Sequence, residues 1–349
     1  MIEFKKTKKE SKILNPLKNF QEDTNFFEYR TDPLTGRNTT VIRGMMNYVE
    51  KFLGSDSEIV QSLVSETKRT CPFCPENLWE KTPMFPKDFI CEGRISSGNT
   101  TIIPNLLGHA ECSVLAVISR NHYLNLNEFS SVLLKDAFIG GTKFLKILKE
   151  KNEKLKFPVF VFNYLPPAGS SIFHPHMQIL VRDRPFFLVD LMLRKSREYF
   201  DKYGSSFWQD LINIEHGEKR HLFSDGTVEW MVPFAPLRGI NEVQAVVKGK
   251  SNFDEISESE WIELSEGFSK ILSFYHKQGY KSFNAIIVSG PLNEHNDYFD
   301  VNLIVISRPG IQKYSFTDSW AVPYMLWDGE AVEEPESLAK KIRNYLNIQ

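Results

Sequence analysis

The chain repeats itself, and that restricts its fold more than any other feature. Residues 97–130 read Ser-Gly-Asn-Thr-Thr-Ile-Ile-Pro-Asn, an apolar stretch from Cys112 to Ile118, then Leu-Asn-Leu-Asn-Glu-Phe. Residues 224–262 read Ser-Asp-Gly-Thr-Val-Glu-Trp-Met-Val-Pro-Phe, then Val-Gln-Ala-Val-Val, then Phe-Asp-Glu-Ile-Ser. Each copy is a strand, a proline-containing turn, a strand and an acidic helix start. Helical spacing of apolar residues then predicts helices over 128–152 and 257–278. Ser257 and Glu260 fit a capping box, and Asn127 can cap the corresponding helix of the first copy. A strand follows each helix, at 157–163 and 283–288, and a last strand closes each copy, at 174–181 and 300–307. A period of about half the chain is too long for a solenoid. The expected fold is α+β, with two tandem halves, each an antiparallel sheet packed with helices. Chance likeness of two α+β segments is the competing reading, and the shared order of five features speaks against it.

The boundaries read as an N-terminal tail over 1–27, a first half over 28–195 and a second, degenerate half over 196–349. The lysines between Met1 and Lys18 read as a solvated, frayed tail, without the apolar core of a secretory signal. No run of about 18 apolar residues suggests a membrane span. The net charge of -2 supplies no field for nucleic acid or an anionic membrane. A cytoplasmic protein with neither partner is expected.

The last strand of the first half carries the chemistry: Phe173-His174-Pro175-His176-Met177-Gln178-Ile179-Leu180-Val181. Side chains alternate along a strand, so His174, His176 and Gln178 share one face. Three polar groups there are costly in a plain core. Two such histidines bind a metal, activate each other or divide the work between metal and substrate; a structural pair also fits. The preceding loop, Asn163 to Ser171, is polar and punctuated by Pro and Gly. Gly169 allows backbone amides to approach a phosphate, and Ser170 and Ser171 add hydroxyls; an ordinary turn also fits. Upstream, Cys71 and Cys74 form a Cys-x-x-Cys flanked by prolines. That suits a metal knuckle in a tight turn better than a redox pair opening a helix.

The stretch Asn163 to Gln178, read as Asn-x5-Gly-x-Ser-x2-His-Pro-His-x-Gln, closely resembles the active-site segment of galactose-1-phosphate uridylyltransferases, the transferase branch of the histidine-triad superfamily. Arg30 to Gly36 looks like that family's N-terminal opening, Cys71 to Asn77 like its zinc knuckle, and Phe85 to Phe89 like its nucleotide-site segment. Arg120 to Leu126 resembles the segment that supplies a zinc-ligand histidine. The resemblance spans residues 28–330 and implies two histidine-triad-like halves. It implies one structural zinc held by Cys71, Cys74, His122 and His174, with His109 a rival third ligand. It implies a nucleotidyltransferase in which His176 attacks the α-phosphate of a nucleotide sugar and Gln178 stabilises the nucleotidyl-histidine. Asp88, Asn163, Gly169 and Ser171 are then substrate contacts. Arg30 and Arg43 become phosphate clamps, although a surface role fits Arg43 equally. The acceptor is a sugar 1-phosphate or phosphate, and a homodimer is possible.

The second half departs from the pattern. Asp300 and Asn302 stand where the family has a second His-x-His, so no second zinc or iron site is expected. Tyr324 to Glu330 lacks the family's Gly-Tyr-Glu sugar pattern, Lys87 replaces an asparagine, and His295 lies in a polar loop. Galactose and uridine specificity therefore do not carry over. A nucleotide-sugar phosphorylase or adenylyltransferase on the same scaffold is the alternative within enzymes. A non-catalytic nucleotide-binding homologue is the alternative outside them.

Overall fold

The two copies of the repeat close into one sheet. The computed structural model describes residues 2–314 and 316–348. In chain order its elements are β1 (Lys6–Asn15), β2 (Gln21–Thr31), β3 (Asn38–Ile42), α1 (Met46–Val49), α2 (Ser57–Lys68) and α3 (Pro75–Lys81). The first copy follows as β4 (Ile95–Ser97), β5 (Thr100–Pro104), β6 (Cys112–Val117), α4 (Ser131–Lys151), β7 (Phe157–Tyr164) and β8 (His176–Arg182). After α5 (Phe187–Tyr203) and α6 (Phe207–Glu215) comes the second copy. It comprises β9 (His221–Asp225), β10 (Val228–Met231), β11 (Val243–Val247), α7 (Glu258–Lys277), β12 (Ser282–Val288) and β13 (Val301–Arg308). β14 (Gly329–Ala331) and α8 (Pro335–Leu346) end the chain.

The ten-stranded sheet runs β4-β5-β6-β8-β7-β12-β13-β11-β10-β9. Its two flanks have the same internal order, reversed, and join where β7 pairs antiparallel with β12. The repeat is thus an α+β fold of two tandem halves, as the sequence implied. Alternation on the strands gives the sheet two faces. Phe160 and Phe162 of β7 point to the face covered by α4 and α7, packed with Phe138, Phe144, Trp261 and Phe268. Val161 points to the opposite face, toward α5 and α6.

Ser257 and Glu260 do form a capping box on α7. On α4, however, Ser130 is the cap, and Asn125 pairs with Glu128 one turn earlier, so Asn127 caps nothing there. The strand of the motif starts at His176 rather than at His174, and the boundary drawn at 195/196 falls inside α5. The frayed tail over 1–27 is corrected outright: β1 and β2 pair over ten residues, from Lys6↔Arg30 to Asn15↔Gln21. The Asn15 side chain caps the turn by accepting from the Leu17 amide, and Asp23 is held by Asn15 and Lys18. The lysines do stay in solvent, but on a hairpin. β3 then pairs in parallel with β14, bringing the ends of the chain together. No helix among the described residues is long and apolar enough to cross a membrane.

Gly267 of α7 lies against Trp230 of β10 so closely that a Cβ would sit 2.2 Å from the indole nitrogen. Helix propensity alone favours alanine by about 1 kcal/mol. Gly267→Ala is nevertheless expected to lower stability by about 1–3 kcal/mol, because overpacking dominates. Denaturant unfolding checks the sign; a stabilised variant would mean the contact relaxes freely.

Candidate active site and metal-ligand cluster

The face of the sheet away from α4 and α7 has two covers with a gap between them. On one side α5 and α6 bury Val159, Leu180, Val246 and Val288. On the other, the Cys71–Cys74 turn packs Phe73 and Leu78 onto Ile103, Leu115 and Val117. At the margin of the second cover lies a cavity of about 480 Å³, within the range of small-molecule sites. Its lining includes Phe73, Lys81, Asn105, His109, Gly169, Ser171, His176 and Gln178.

Cys71, Cys74, His122 and His174 are all buried, and their ligand atoms lie within 4.8 Å of one another. His174 Nδ1 is 3.7 Å from both sulfurs, and His122 Nδ1 is 3.5 Å from Cys74 Sγ. Around a tetrahedral ion with metal–sulfur bonds of about 2.3 Å and metal–nitrogen bonds of about 2.05 Å, sulfur and nitrogen stand about 3.6 Å apart. The donors are therefore already spaced for a metal ion. The outer nitrogens are also placed: His174 Nε2 donates to the Ser119 carbonyl at 2.7 Å, and His122 Nε2 donates to Thr67 Oγ1 at 3.0 Å. Thr67 in turn donates to the Leu63 carbonyl. Each bond leaves the Nδ1 lone pair facing the cluster. Burial, then the neighbouring Cys71, pushes the Cys74 thiol up to about 12 without a cation to hold the thiolates. His109 is exposed and lies at the cavity, not in the cluster.

His176 follows two residues after His174 and turns its ring to the cavity. Its Nδ1–H donates to the His174 carbonyl at 2.9 Å. That bond fixes the tautomer with the lone pair on Nε2. Burial lowers its basicity, so the ring is neutral, and Phe73 meets it edge-on with centroids 5.4 Å apart. Gln178 follows on the same face, between Leu115 and Val161 on the flanking strands. One step beyond the ladder of β7 and β8, Asn163 lies beside His176. Its Oδ1 accepts from Asn284 Nδ2 at 2.7 Å, and Asn284 also holds the Ala168 carbonyl.

Gly169 takes a left-handed conformation, φ 83°. Its amide and that of Ser170 are spent on the Pro166 and Leu165 carbonyls, and Ser170 Oγ bonds Ile172. Ser171 stays exposed at the rim and is the part of the loop that can meet a ligand. The expected phosphate cradle is thus narrower than the sequence suggested.

Three residues of the expected site lie elsewhere. Arg30 is buried and fully engaged, with Glu28, Glu336 and the Phe234 carbonyl as partners; it is a structural ion pair, not a clamp. Arg43 pairs with Glu28 and Glu334. Asp88 is exposed beside the C-terminal end of α4, because Phe85 and Phe89 pack on Phe144 in the core on the other face of the sheet. None of the three lines the cavity, and Asn163, beside His176, is outside its lining as well. The cavity residues that sequence reasoning missed are Phe73, Lys81 and Asn105, with Asn284 behind. No local signal marks them: packing of the knuckle brings in Phe73 and Lys81, the turn after β5 brings in Asn105, which bonds Ser113 of β6, and pairing of β7 with β12 brings in Asn284. On the second half, Asp300 accepts from Gln209 and the Gly249 amide, and Asn302 is bonded to Gln244.

No protein-family model matches the chain. It is 28% identical over 348 residues to an uncharacterized protein of Archaeoglobus fulgidus, covering 98% of each. Among solved structures it resembles an ADP-glucose phosphorylase from Arabidopsis thaliana with bound ADP-glucose, with TM-score 0.70, 17% identity and coverage of 90% of this chain and 97% of that one. A GalT-like protein from the same plant gives TM-score 0.68 at 17% identity, covering 90% and 98%. A uridylyltransferase gives TM-score 0.64 at 19% identity, covering 91% and 98%. These likenesses show the fold, and it is the fold of the family that the central motif resembles.

Thr67 bonds the cluster only through the outer nitrogen of His122. Thr67→Val is expected to weaken metal binding at the Cys-His cluster by about 10–100-fold, read by competition with a chelator. Unchanged affinity would mean that the Thr67 bond does not support His122 as a ligand.

Proposed function

We propose that the protein is a nucleotidyltransferase that acts on a nucleotide sugar through a nucleotidyl-histidine. The observation that carries this reading is the bond from His176 Nδ1 to the His174 carbonyl, which leaves a neutral ring with its Nε2 lone pair at a cavity. In the first half-reaction Nε2 attacks the α-phosphorus. The bond from that phosphorus to the bridging oxygen breaks, and a sugar 1-phosphate leaves. In the second, a phosphate oxygen of the acceptor attacks the same phosphorus, and the nitrogen–phosphorus bond breaks. Splitting the displacement in two lets one nucleophile serve both directions. Gln178 donates to a non-bridging oxygen, Lys81 and Ser171 serve the departing phosphate, and Asn163 contacts the nucleotide.

The Cys71, Cys74, His122 and His174 set suits zinc, because two thiolates and two imidazoles at tetrahedral spacing are its usual ligands. All four positions are protein, so the ion is structural. It fixes the His174 segment and so the start of β8.

The acceptor is a sugar 1-phosphate or inorganic phosphate. The second is favoured by the loss of the family's sugar-contact pattern near Tyr324, and the ADP-glucose phosphorylase shares this fold.

Incubation with UDP-glucose, UDP-galactose, ADP-glucose or a GDP-sugar, each alone, is expected to add one nucleoside monophosphate to the intact mass. His176→Ala is expected to give no adduct. Gln178→Ala is expected to slow adduct formation by about 10²–10³-fold. Discharging the adduct with inorganic phosphate or with a sugar 1-phosphate identifies the acceptor. A folded, zinc-loaded protein that forms no adduct with any donor defeats the covalent mechanism.

A further inference from the structure

A second cluster of ligand-type side chains lies away from the cavity, at the outer edge of the second half. His216 caps the C-terminal end of α6, His221 opens β9, and Glu229 lies on β10. His216 Nε2 and His221 Nε2 each stand 3.0 Å from the same Glu229 oxygen, Oε2. The ligand atoms of all three lie within 4.8 Å of one another. The carboxylate is buried at 1% side-chain exposure, while the His216 ring is 45% exposed.

Hydrogen bonds alone serve this arrangement poorly. Ser224 Oγ also donates to Oε2, at 2.7 Å, so three donors would share one oxygen with two lone pairs. Lys248 occupies the other oxygen at 2.8 Å. Ligands bound about 2.1 Å from one ion, at 90–109° to each other, stand about 3.0–3.4 Å apart. Both nitrogen–oxygen separations meet that spacing. With an ion present, two imidazole lone pairs and one carboxylate pair converge on it, and Ser224 alone donates to Oε2.

We propose that His216, His221 and Glu229 form a second metal site, independent of the Cys-His cluster, for a late first-row divalent cation such as zinc or nickel. Two imidazoles and one carboxylate oxygen suit such ions better than calcium or magnesium, which prefer all-oxygen sets. Only three protein ligands are supplied, and the exposed side of His216 gives the ion a path in and leaves water to complete its shell. Lys248 restricts Glu229 to one coordinating oxygen. The site shares no residue with Asp300 or Asn302 on β13. Its bound ion clamps the end of α6 to the edge strand β9 and its neighbour β10.

The test is equilibrium dialysis of the full chain against zinc, with bound metal per chain read by mass spectrometry. Wild type is expected to hold two ions, and His216→Ala, His221→Ala and Glu229→Gln one each. In a cobalt titration the three variants are expected to keep the thiolate charge-transfer absorption of the Cys-His cluster. His216→Ala changes an exposed ring, so it keeps the test valid where the buried Glu229 variant fails to fold. A wild type that holds one ion overturns the proposal. So does a second ion retained in both histidine variants, which would belong to other groups.

Discussion

His174 ties the molecule together through two separate groups. Its ring, wholly buried, meets the two cysteine sulfurs and His122, with the Ser119 carbonyl fixing its orientation. Its carbonyl receives the Nδ1 proton of His176. The residue that holds the knuckle to the sheet thus also sets the tautomer of the proposed nucleophile. Burial lowers the His174 ring to about 4, so it is neutral and available as a ligand at ordinary pH. A shift of this segment would misplace the cluster and the His176 ring together.

The second half carries Asp300 and Asn302 where the first carries His174 and His176, but it still works for the first. Its β12 lies directly beside β7, and Asn284 reaches across to Asn163 and to the Ala168 carbonyl. Both the loop after β7 and the side chain beside His176 are therefore positioned from the other half. Asp300 and Asn302 have turned inward to hold Gln209, Gly249 and Gln244. Burial pushes the Asp300 carboxyl up to about 6, against the lowering effect of its bonds from Gln209 and the Gly249 amide. The candidate cavity lies on the first flank of a sheet of symmetrical order, and the second flank helps to position its parts through Asn284.

The parts of this arrangement that were legible in the sequence obey a local period. The repeat was visible because strands, turn prolines and helix starts recur in order. The face shared by His176 and Gln178 was visible because strand alternation is strict. Other parts depend on partners far along the chain. Arg30 looks the same in sequence whether it meets a phosphate or two carboxylates, and one of those carboxylates, Glu336, lies 306 residues away. Asp88 sits in a segment resembling a nucleotide site, yet the aromatic residues around it are drawn into the core against Phe144. Lysines hid the alternation of β1, since they stay solvated on a hairpin as readily as on a disordered tail. Local bias in composition does not distinguish the two; pairing with β2 does.

The surroundings of Gln178 bear on which chemistry the cavity can support. Its nearest cross-strand neighbours are Leu115 and Val161, both apolar. A charged side chain between them would lose part of its solvation to these apolar neighbours, which is a cost. A neutral amide keeps both its donor and its acceptor without that penalty. The cavity therefore offers the neutral His176 ring and the Gln178 amide side by side, with Lys81, Asn105, His109 and Ser171 elsewhere in its lining. Such a set can receive a phosphorus and stabilise its oxygens, and the position next to the nucleophile on its strand holds an amide rather than a base. Transfer to a phosphate acceptor, which arrives already ionised, needs no such base, and that favours transfer over hydrolysis on this scaffold.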